Sequence, residues 1–138
     1  MIVLDTNVLS EVMKTTPDPA VAAWMLKQPR ADLATTAINE AELLMGIALL
    51  PSGKRRAGLA NAALGVIGLF AGRILPFDSA AAIHFADIME TRRRAGRRVA
   101  EMDALIAAIT RSRGGILATR NTPDFDGIGL ALVNPWGV

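Results

Sequence analysis

Short apolar runs alternate with longer segments of helical spacing along the chain. The apolar runs are bounded by polar or turn-forming residues, which is typical of buried strands. They predict strands at 2–4, 32–36, 73–77, 116–119 and 130–133. The segments between them predict helices at 8–13, 20–28, 39–50, 55–71, 80–95 and 101–112. Strands that alternate with helices predict a three-layer α/β/α sandwich around a mainly parallel sheet of about five strands.

Short polar side chains are predicted to begin two of the helices, because they can accept hydrogen bonds from free backbone N–H groups. Asn7 is the predicted N-cap of the first helix. Asp78 and Ser79 precede the helix that is predicted to start at Ala80.

The segment 57–72 carries no charged residue, although Arg56 and Arg73 flank it. It contains Asn61 and several glycines, and it is shorter than the about 20 apolar residues that a membrane-spanning helix needs. We therefore predict a helix that is buried in the protein or in an interface, and no membrane association.

Length and composition exclude several classes of protein. A chain of 138 residues predicts one domain over 1–138. The absence of cysteine excludes disulfides and thiolate chemistry, and the single histidine, His84, excludes His-rich metal sites. The 4% aromatic content argues against RNA binding by base stacking. Without cysteines or a basic leader at the start, the chain is predicted to be cytoplasmic.

Several acidic and amide side chains are predicted to meet at one edge of the sheet. Asp5 follows the first strand, while Asn121 and Asp124 follow the fourth. Asp103 lies in the first turn of the helix before that strand, and Glu42 lies one turn into the helix after the second. Because parallel strands form sites beyond their carboxyl ends, these side chains can converge.

Converging carboxylates repel one another, and burial increases the energetic cost. A hard divalent cation relieves this repulsion, and Mg²⁺ favours a few carboxylates together with waters and phosphate oxygens. Mn²⁺ suits the same oxygen ligands. A metal of this kind can activate water and stabilise charge at phosphorus. An acidic cluster without histidine or cysteine therefore favours phosphodiester chemistry over peptide or sugar chemistry.

Each acid also has a purely structural interpretation. Asp5 can cap the helix after the first strand, and Asp103 can be an acid favoured by the helix dipole. Glu42 can be a surface residue of its helix, and Asp124 can be a turn residue after Pro123.

Arginines cluster in the segment 92–98. Arg92, Arg93 and Arg97 belong to this run, together with Arg94 and Arg98. Such a run is typical of a solvated helix face. The alternative is a surface that contacts phosphates of a nucleic-acid backbone, for which arginine is well suited.

The sequence resembles PIN-domain nucleases. Four segments are similar, in order and spacing, to the four motifs of that family: 2–7, 40–46, 103–108 and 117–125. The second match selects Glu42 over Glu40 as the motif acid. The segments 70–78 and 134–136 are similar to the FitB-like branch of the VapC-type toxins within that family.

The resemblance implies a PIN-like fold and a Mg²⁺-dependent endoribonuclease that is the toxin half of a toxin–antitoxin pair. It also implies a homodimer that a small cognate antitoxin inhibits. The toxin–antitoxin complex would bind its own promoter DNA. RNA would be the substrate.

The same resemblance implies roles for the motif residues. Asp5 and Asp103 would be the primary metal ligands. Glu42 and Asp124 would complete the site or orient the attacking water. Thr6 and Thr119 would support the acids by hydrogen bonds.

The sequence departs from the family at Asn121, where an aspartate is common. An asparagine can ligate a metal through its carbonyl oxygen but adds no charge, so Asp124 is the alternative fourth acid. A PIN fold that has lost its metal and acts through antitoxin and DNA contacts is therefore a second hypothesis. In the nuclease hypothesis, Arg92, Arg93 and Arg97 would hold the RNA backbone.

Overall fold

The computed structural model of the protein describes residues 1–137, and Val138, the last residue of the predicted domain, lies outside the described residues. The strands are β1 (Ile2–Leu4), β2 (Leu33–Thr36), β3 (Ile74–Leu75), β4 (Ile116–Ala118) and β5 (Ala131–Val133). The helices are α1 (Thr6–Val12), α2 (Pro19–Lys27), α3 (Ala37–Ala48), α4 (Lys54–Leu69), α5 (Ser79–Arg94) and α6 (Glu101–Ser112). Short 3-10 turns cover Arg30–Asp32 and Thr122–Phe125.

All five strands are parallel and lie in the order β3-β2-β1-β4-β5. β1 is the central strand, and its Val3 pairs with Ala34 of β2 on one side and Leu117 of β4 on the other. This confirms the predicted PIN-like α/β/α architecture. The carboxyl ends of β2, β1 and β4 are therefore neighbours.

Alternate residues of β1 enter two different hydrophobic cores, as the pleat of a strand requires. Val3 packs into the core that contains residues of α5 and α6, such as Ile88 and Ile106. Leu4 packs into the opposite core with Val8 and Leu9 of α1. Helices cover both faces of the sheet, and the strand is buried on both sides.

α1 begins two residues earlier than predicted. Asp5, and not Asn7, is its N-cap, and the Asp5 carboxylate accepts a hydrogen bond from the backbone N–H of Thr6. The prediction for Asn7 is wrong because the chain passes from β1 into α1 without an intervening loop. The Asp78 cap is confirmed, since its carboxylate accepts from the N–H of Ala81 at 3.0 Å.

The uncharged helix is not buried within the protein. Ala63 is the buried residue of α4, while Leu64 and Leu69 are largely exposed. The interpretation of a helix buried in this chain is therefore wrong, and that of an interface helix stays a prediction. Within residues 1–137, the structure contains no helix that combines the length and the hydropathy needed to cross a membrane.

Candidate active site

Asp5 lies at the carboxyl end of β1 and is 5% exposed. One carboxylate oxygen accepts hydrogen bonds from the Thr6 N–H at 2.8 Å and the Asn39 side-chain amide at 3.0 Å. The other oxygen accepts from the Thr119 hydroxyl at 2.7 Å. The capping role of Asp5 and its place in a site are therefore compatible, because each oxygen has several lone-pair positions.

Asn39 holds Asp5 from the β2 side, and the sequence analysis did not identify it. Asn39 is fully buried in the first turn of α3, and its side-chain amide donates to both Asp5 and Thr6 at 3.0 Å. The Thr36 hydroxyl donates to the Asn39 carbonyl oxygen at 2.7 Å, which turns the amide N–H groups toward Asp5. Thr36 also caps α3. The sequence contained a signal for Asn39, namely a threonine at the end of a strand with a short polar residue three positions later.

Glu42 approaches Asp5 through Thr6. The Thr6 hydroxyl donates to a Glu42 carboxylate oxygen at 2.8 Å, and it accepts from Asn39. Burial raises the pKa of Glu42, the Thr6 hydrogen bond lowers it, and the charge of Asp5 raises it further. Burial likewise raises the pKa of Asp5, although hydrogen bonds from Thr119, Thr6 and Asn39 oppose the shift.

Asp103 is a further acid whose surroundings raise its pKa. Partial burial raises its pKa to about 6, and the charges of Asp5, Glu42 and Asp124 add to the effect. These couplings show that four acids from separate elements share one electrostatic environment. We call Asp5, Glu42, Asp103 and Asp124 the acid cluster.

Glu11 shows how a structural acid of this protein differs from the acid cluster. Its carboxylate accepts from the Asp18 N–H at 2.9 Å and pairs with Lys14 at 3.0 Å. These partners lower the pKa of Glu11, the Asp18 hydrogen bond having the larger effect. An acid with partners for its charge is stabilised as a carboxylate. Within residues 1–137, no lysine or arginine forms an ion pair with an acid of the cluster.

The segment after β4 places its residues in different environments. Asp124 is exposed on the 3-10 turn, yet close enough to raise the pKa of both Asp5 and Asp103 by its charge. Asn121 is also exposed, and its backbone N–H donates to the Thr119 hydroxyl at 3.1 Å. Asn121 therefore supports Thr119 through its main chain.

The arginine run divides into buried and exposed members. Arg92 is 3% exposed, and its guanidinium donates to backbone carbonyls. Little of Arg92 is exposed, and both of its terminal nitrogens already donate to carbonyl oxygens of the chain, so the expected RNA contact by the Arg92 guanidinium does not fit the structure. Arg92 follows the apolar Ile88 by four residues, so both side chains lie on the same face of the helix. The sequence analysis missed this signal for the burial of Arg92. Arg93 and Arg97 are exposed.

Two grooves flank the acid cluster. On the Glu42 side, an apolar groove of about 430 Å³ lies between α1, α3 and α4, with Leu43, Leu50 and Leu59 in its wall. On the opposite side, a groove of about 450 Å³ is lined by Arg92, Arg97, Arg98, Val99, Ala100, Asp103, Pro123 and Asp124. We call the second one the basic groove.

The donor set of the acid cluster fits a hard divalent cation. Its members are carboxylates, and burial together with their mutual repulsion raises the pKa of Asp103. A bound cation would relieve that repulsion. In residues 1–137, no three acidic or histidine side chains are grouped closely enough to hold a metal ion by themselves. Mg²⁺ does not require three, because it commonly binds one or two carboxylates and keeps several waters.

The metal-free protein is expected to lose stability as the pH rises from about 4 to about 6. In this range the folded protein holds a proton on Asp103 that the unfolded chain, with a pKa near 3.8, has released. The free energy of unfolding should therefore fall by about 1–2 kcal/mol over that window. Thermal unfolding in EDTA between pH 4 and pH 8 measures this.

Mg²⁺ should reverse the loss at pH 7.5. At 100 times its dissociation constant, a bound ion adds about 2.7 kcal/mol to the free energy of unfolding. The same titration at pH 4.5 is the control, because a protonated Asp103 should weaken the effect. An equal Mg²⁺ effect at both pH values would contradict the role of Asp103 charge.

Comparison with known proteins places the chain in a family. The PIN domain model matches residues 2–129. VapC ribonuclease Y4jK of Sinorhizobium fredii is 44% identical over 137 residues, which are 99% of this chain and 98% of that protein. Toxin FitB of Neisseria gonorrhoeae is 39% identical over 137 residues, 99% of each chain.

Solved structures show the same relationship. The structure of FitAB bound to an IR36 DNA fragment superposes with a TM-score of 0.92 at 38% identity, covering 100% of this chain and 97% of that chain. VapBC-5 from Mycobacterium tuberculosis, of the VapBC family of toxin–antitoxin systems, gives a TM-score of 0.73 at 27% identity over 96% of both chains. The resemblance stated from the sequence motifs is confirmed: the chain belongs to the PIN-domain family, in its VapC and FitB group.

Proposed function

We propose that this protein is the toxin of a type II toxin–antitoxin system and a Mg²⁺-dependent endoribonuclease that acts in the cytoplasm. The observation that carries the proposal is the acid cluster, in which the buried Asp5 and three further acids share one environment and form no ion pair with a basic side chain of residues 1–137. The 44% identity to a protein named as a VapC ribonuclease supports the same activity.

Asp5 and Asp103 are the residues that would hold the metal. Asp5 is fixed by hydrogen bonds from three directions, so its position does not depend on the metal. The pKa of Asp103 is raised to about 6, and a cation bound to its carboxylate would lower it. A bound Mg²⁺, or Mn²⁺ in its place, would activate a water and stabilise the charge that develops at phosphorus.

Glu42 and Asp124 are suited to orient the attacking water. Thr6 holds one Glu42 oxygen, which leaves the other free to accept a proton or a hydrogen bond. Asp124 is exposed on the opposite side of the cluster, where solvent and substrate have access. Thr119 acts through Asp5, to which it donates.

The basic groove is suited to the RNA backbone. Arg97 and Arg98 line it next to Asp103 and Asp124, and Arg93 is exposed on the same segment. Phosphate contacts of this kind give affinity and position the chain without selecting bases. The arginines attract the phosphates of the backbone, but the acid cluster repels the phosphate that is to be cleaved. A bound cation is therefore also needed before that phosphate can approach the acids.

The protein partners would be a cognate antitoxin and a second copy of the chain. The apolar groove next to Glu42 offers an antitoxin segment a surface that adjoins the acid cluster. The exposed leucines of α4 offer apolar area to a homodimer or to the antitoxin. Promoter DNA binding by the complex is supported by the FitAB structure, which contains a DNA fragment.

The experiment that tests the proposal is cleavage of total cellular RNA by purified, antitoxin-free protein. Discrete fragments should form with Mg²⁺ or Mn²⁺, disappear with EDTA, and return when excess Mg²⁺ is added back. Asp5→Asn protein purified in the same way is the control for contaminating nucleases. Absence of cleavage by folded protein with either metal would favour the second hypothesis, a binding module that acts through antitoxin and DNA.

A further inference from the structure

A buried arginine at the end of α5 has no acidic partner among residues 1–137. Arg92 lies on the same face of the helix as Ile88 and is 3% exposed. No carboxylate of the described chain pairs with it, and its Nε lacks a hydrogen-bond partner there. Burial of an unpaired charge is costly. Because this burial is costly, we ask which function the hydrogen bonds of Arg92 serve.

Those hydrogen bonds connect three segments of the chain. One terminal nitrogen of Arg92 donates to the carbonyl oxygens of Asp124 and Asp126, both at 2.8 Å. The other terminal nitrogen donates to the carbonyl oxygen of Arg98 at 3.3 Å. The Arg92 carbonyl oxygen accepts from the N–H of Arg97 at 2.9 Å. The guanidinium thus joins α5, the 95–100 segment and the turn after β4.

Two of these segments carry acids of the cluster. Asp124 is itself one of the residues whose carbonyl Arg92 binds. Asp103 lies in the first turn of α6, which starts directly after the 95–100 segment. The N-cap of α6 is Ala100, which makes no side-chain capping bond, so other contacts must fix the start of this helix.

We propose that Arg92 is a positioning residue, which places Asp124 and Asp103 beside Asp5 by binding the main chain of the two segments that carry them. The inference rests on the proposed metal-dependent function. Arginine suits this task because its planar guanidinium offers donors in a fixed fork, whereas the lysine ammonium is a point charge at a different position. Arg92 acts on the acids through the backbone and does not touch substrate.

The test compares three variants of the full-length protein. Arg92→Met removes the guanidinium at similar length, and Arg92→Lys keeps the charge without the fork. Arg111→Met is the matched control, because Arg111 is partly buried and also binds a loop carbonyl, that of Ile128 at 2.9 Å. It contacts no residue of the acid cluster, since its other partners are His84 and Asp87.

Four quantities are measured for each folded variant. Amide hydrogen exchange by NMR reports on Asp124 and Asp126, whose N–H groups bond within the turn. Calorimetric titration gives the Mg²⁺ dissociation constant. RNA cleavage gives kcat and KM. The first two quantities do not depend on turnover, so failure of the ribonuclease proposal would not hide the result for Arg92.

For Arg92→Met we expect exchange at Asp124 and Asp126 to quicken by about tenfold or more. The Mg²⁺ dissociation constant should rise by about 10–100-fold, with a similar fall in kcat and a KM within about twofold, as for other residues that orient metal ligands. Arg92→Lys should show the same changes at smaller size. Arg111→Met should keep the dissociation constant and kcat within about twofold, whatever its loss of stability.

Two results would overturn the proposal. One is wild-type exchange and Mg²⁺ affinity in folded Arg92→Lys or Arg92→Met. The other is a raised KM at unchanged kcat and Mg²⁺ affinity, which would make Arg92 an RNA contact. If Arg92→Met does not fold, the exchange rates and the Mg²⁺ affinity of Arg92→Lys decide whether the proposal holds. If the wild type neither binds Mg²⁺ nor cleaves RNA, the proposed function fails, and the exchange rates alone show whether Arg92 holds the turn.

Discussion

Asp103→Asn is expected to make the metal-free protein more stable and, at the same time, to slow RNA cleavage severely. At pH 7.5 the wild-type carboxylate is charged, although partial burial, with a further effect from the charges of Asp5, Glu42 and Asp124, raises its pKa to about 6. The amide removes this charge at nearly the same shape. The free energy of unfolding in EDTA should rise by about 1–2 kcal/mol, and Tm by about 3–8 °C.

The cleavage rate of Asp103→Asn should fall by about 10²–10³-fold, because a metal ligand supplies several kcal/mol of transition-state stabilisation. The stability gain should disappear at pH 4, where wild-type Asp103 is protonated. Addition of Mg²⁺ at pH 7.5 should stabilise the wild type more than the variant. Calorimetric melting with and without Mg²⁺ measures these effects.

Glu101→Gln is the matched control, since Glu101 is an exposed acid in the same first turn of α6. It should change neither the Tm in EDTA nor the cleavage rate. An Asp103→Asn protein that melts below the wild type in EDTA would show that this carboxylate stabilises the fold, and would contradict its role as an unpaired site acid.

Asn39→Leu is expected to lower both stability and activity. Leucine has a similar size but cannot donate to Asp5 or Thr6, and it removes the side-chain oxygen to which the Thr36 hydroxyl donates, although the backbone N–H of residue 39 can still donate to that hydroxyl. Loss of hydrogen bonds at buried polar groups should reduce the free energy of unfolding by about 2–3 kcal/mol. Tm should fall by about 6–12 °C.

The cleavage rate of Asn39→Leu should fall by about 10–100-fold at a temperature where the variant is folded, because Asp5 would lose one of its fixed partners. Asn61→Leu is the control, as Asn61 is exposed on α4. It should leave both quantities unchanged. A folded Asn39→Leu protein with wild-type activity would mean that Thr6 and Thr119 suffice to position Asp5.

The sequence was sufficient for the sheet and for all four acids of the acid cluster, because both follow largely from rules of position along the chain. Asp5 could be placed at a strand end from the apolar run before it, and parallel strands bring such ends together. Glu42 could be chosen over Glu40 from its resemblance to a family motif. These conclusions require no knowledge of side-chain orientation.

Residues that act through tertiary hydrogen bonds were harder to identify. The amide of Asn39 is useful because Thr36 turns it toward Asp5, and this depends on three elements meeting. Arg92 lies in a run of similar residues. Arg92 is buried and Arg93 is exposed because of the way α5 is rotated against the elements that pack on it. The exposure of α4 could not be predicted either, because apolar composition does not show which molecule covers a surface.

The position of β1 between β2 and β4 affects when the site can exist during synthesis of the chain. Thr119 donates a hydrogen bond to Asp5, and the two residues are 114 positions apart in the chain. Asp5 therefore has all its hydrogen-bond partners only after β4 and Thr119 have been synthesised. A ribosome that adds about 5–20 residues per second needs roughly 6–23 s to cover that separation. Until then, the emerging chain has Asp5 without β4 or Asp124. An enzyme that attacks RNA would thus remain inactive on the ribosome that makes it until synthesis is nearly complete.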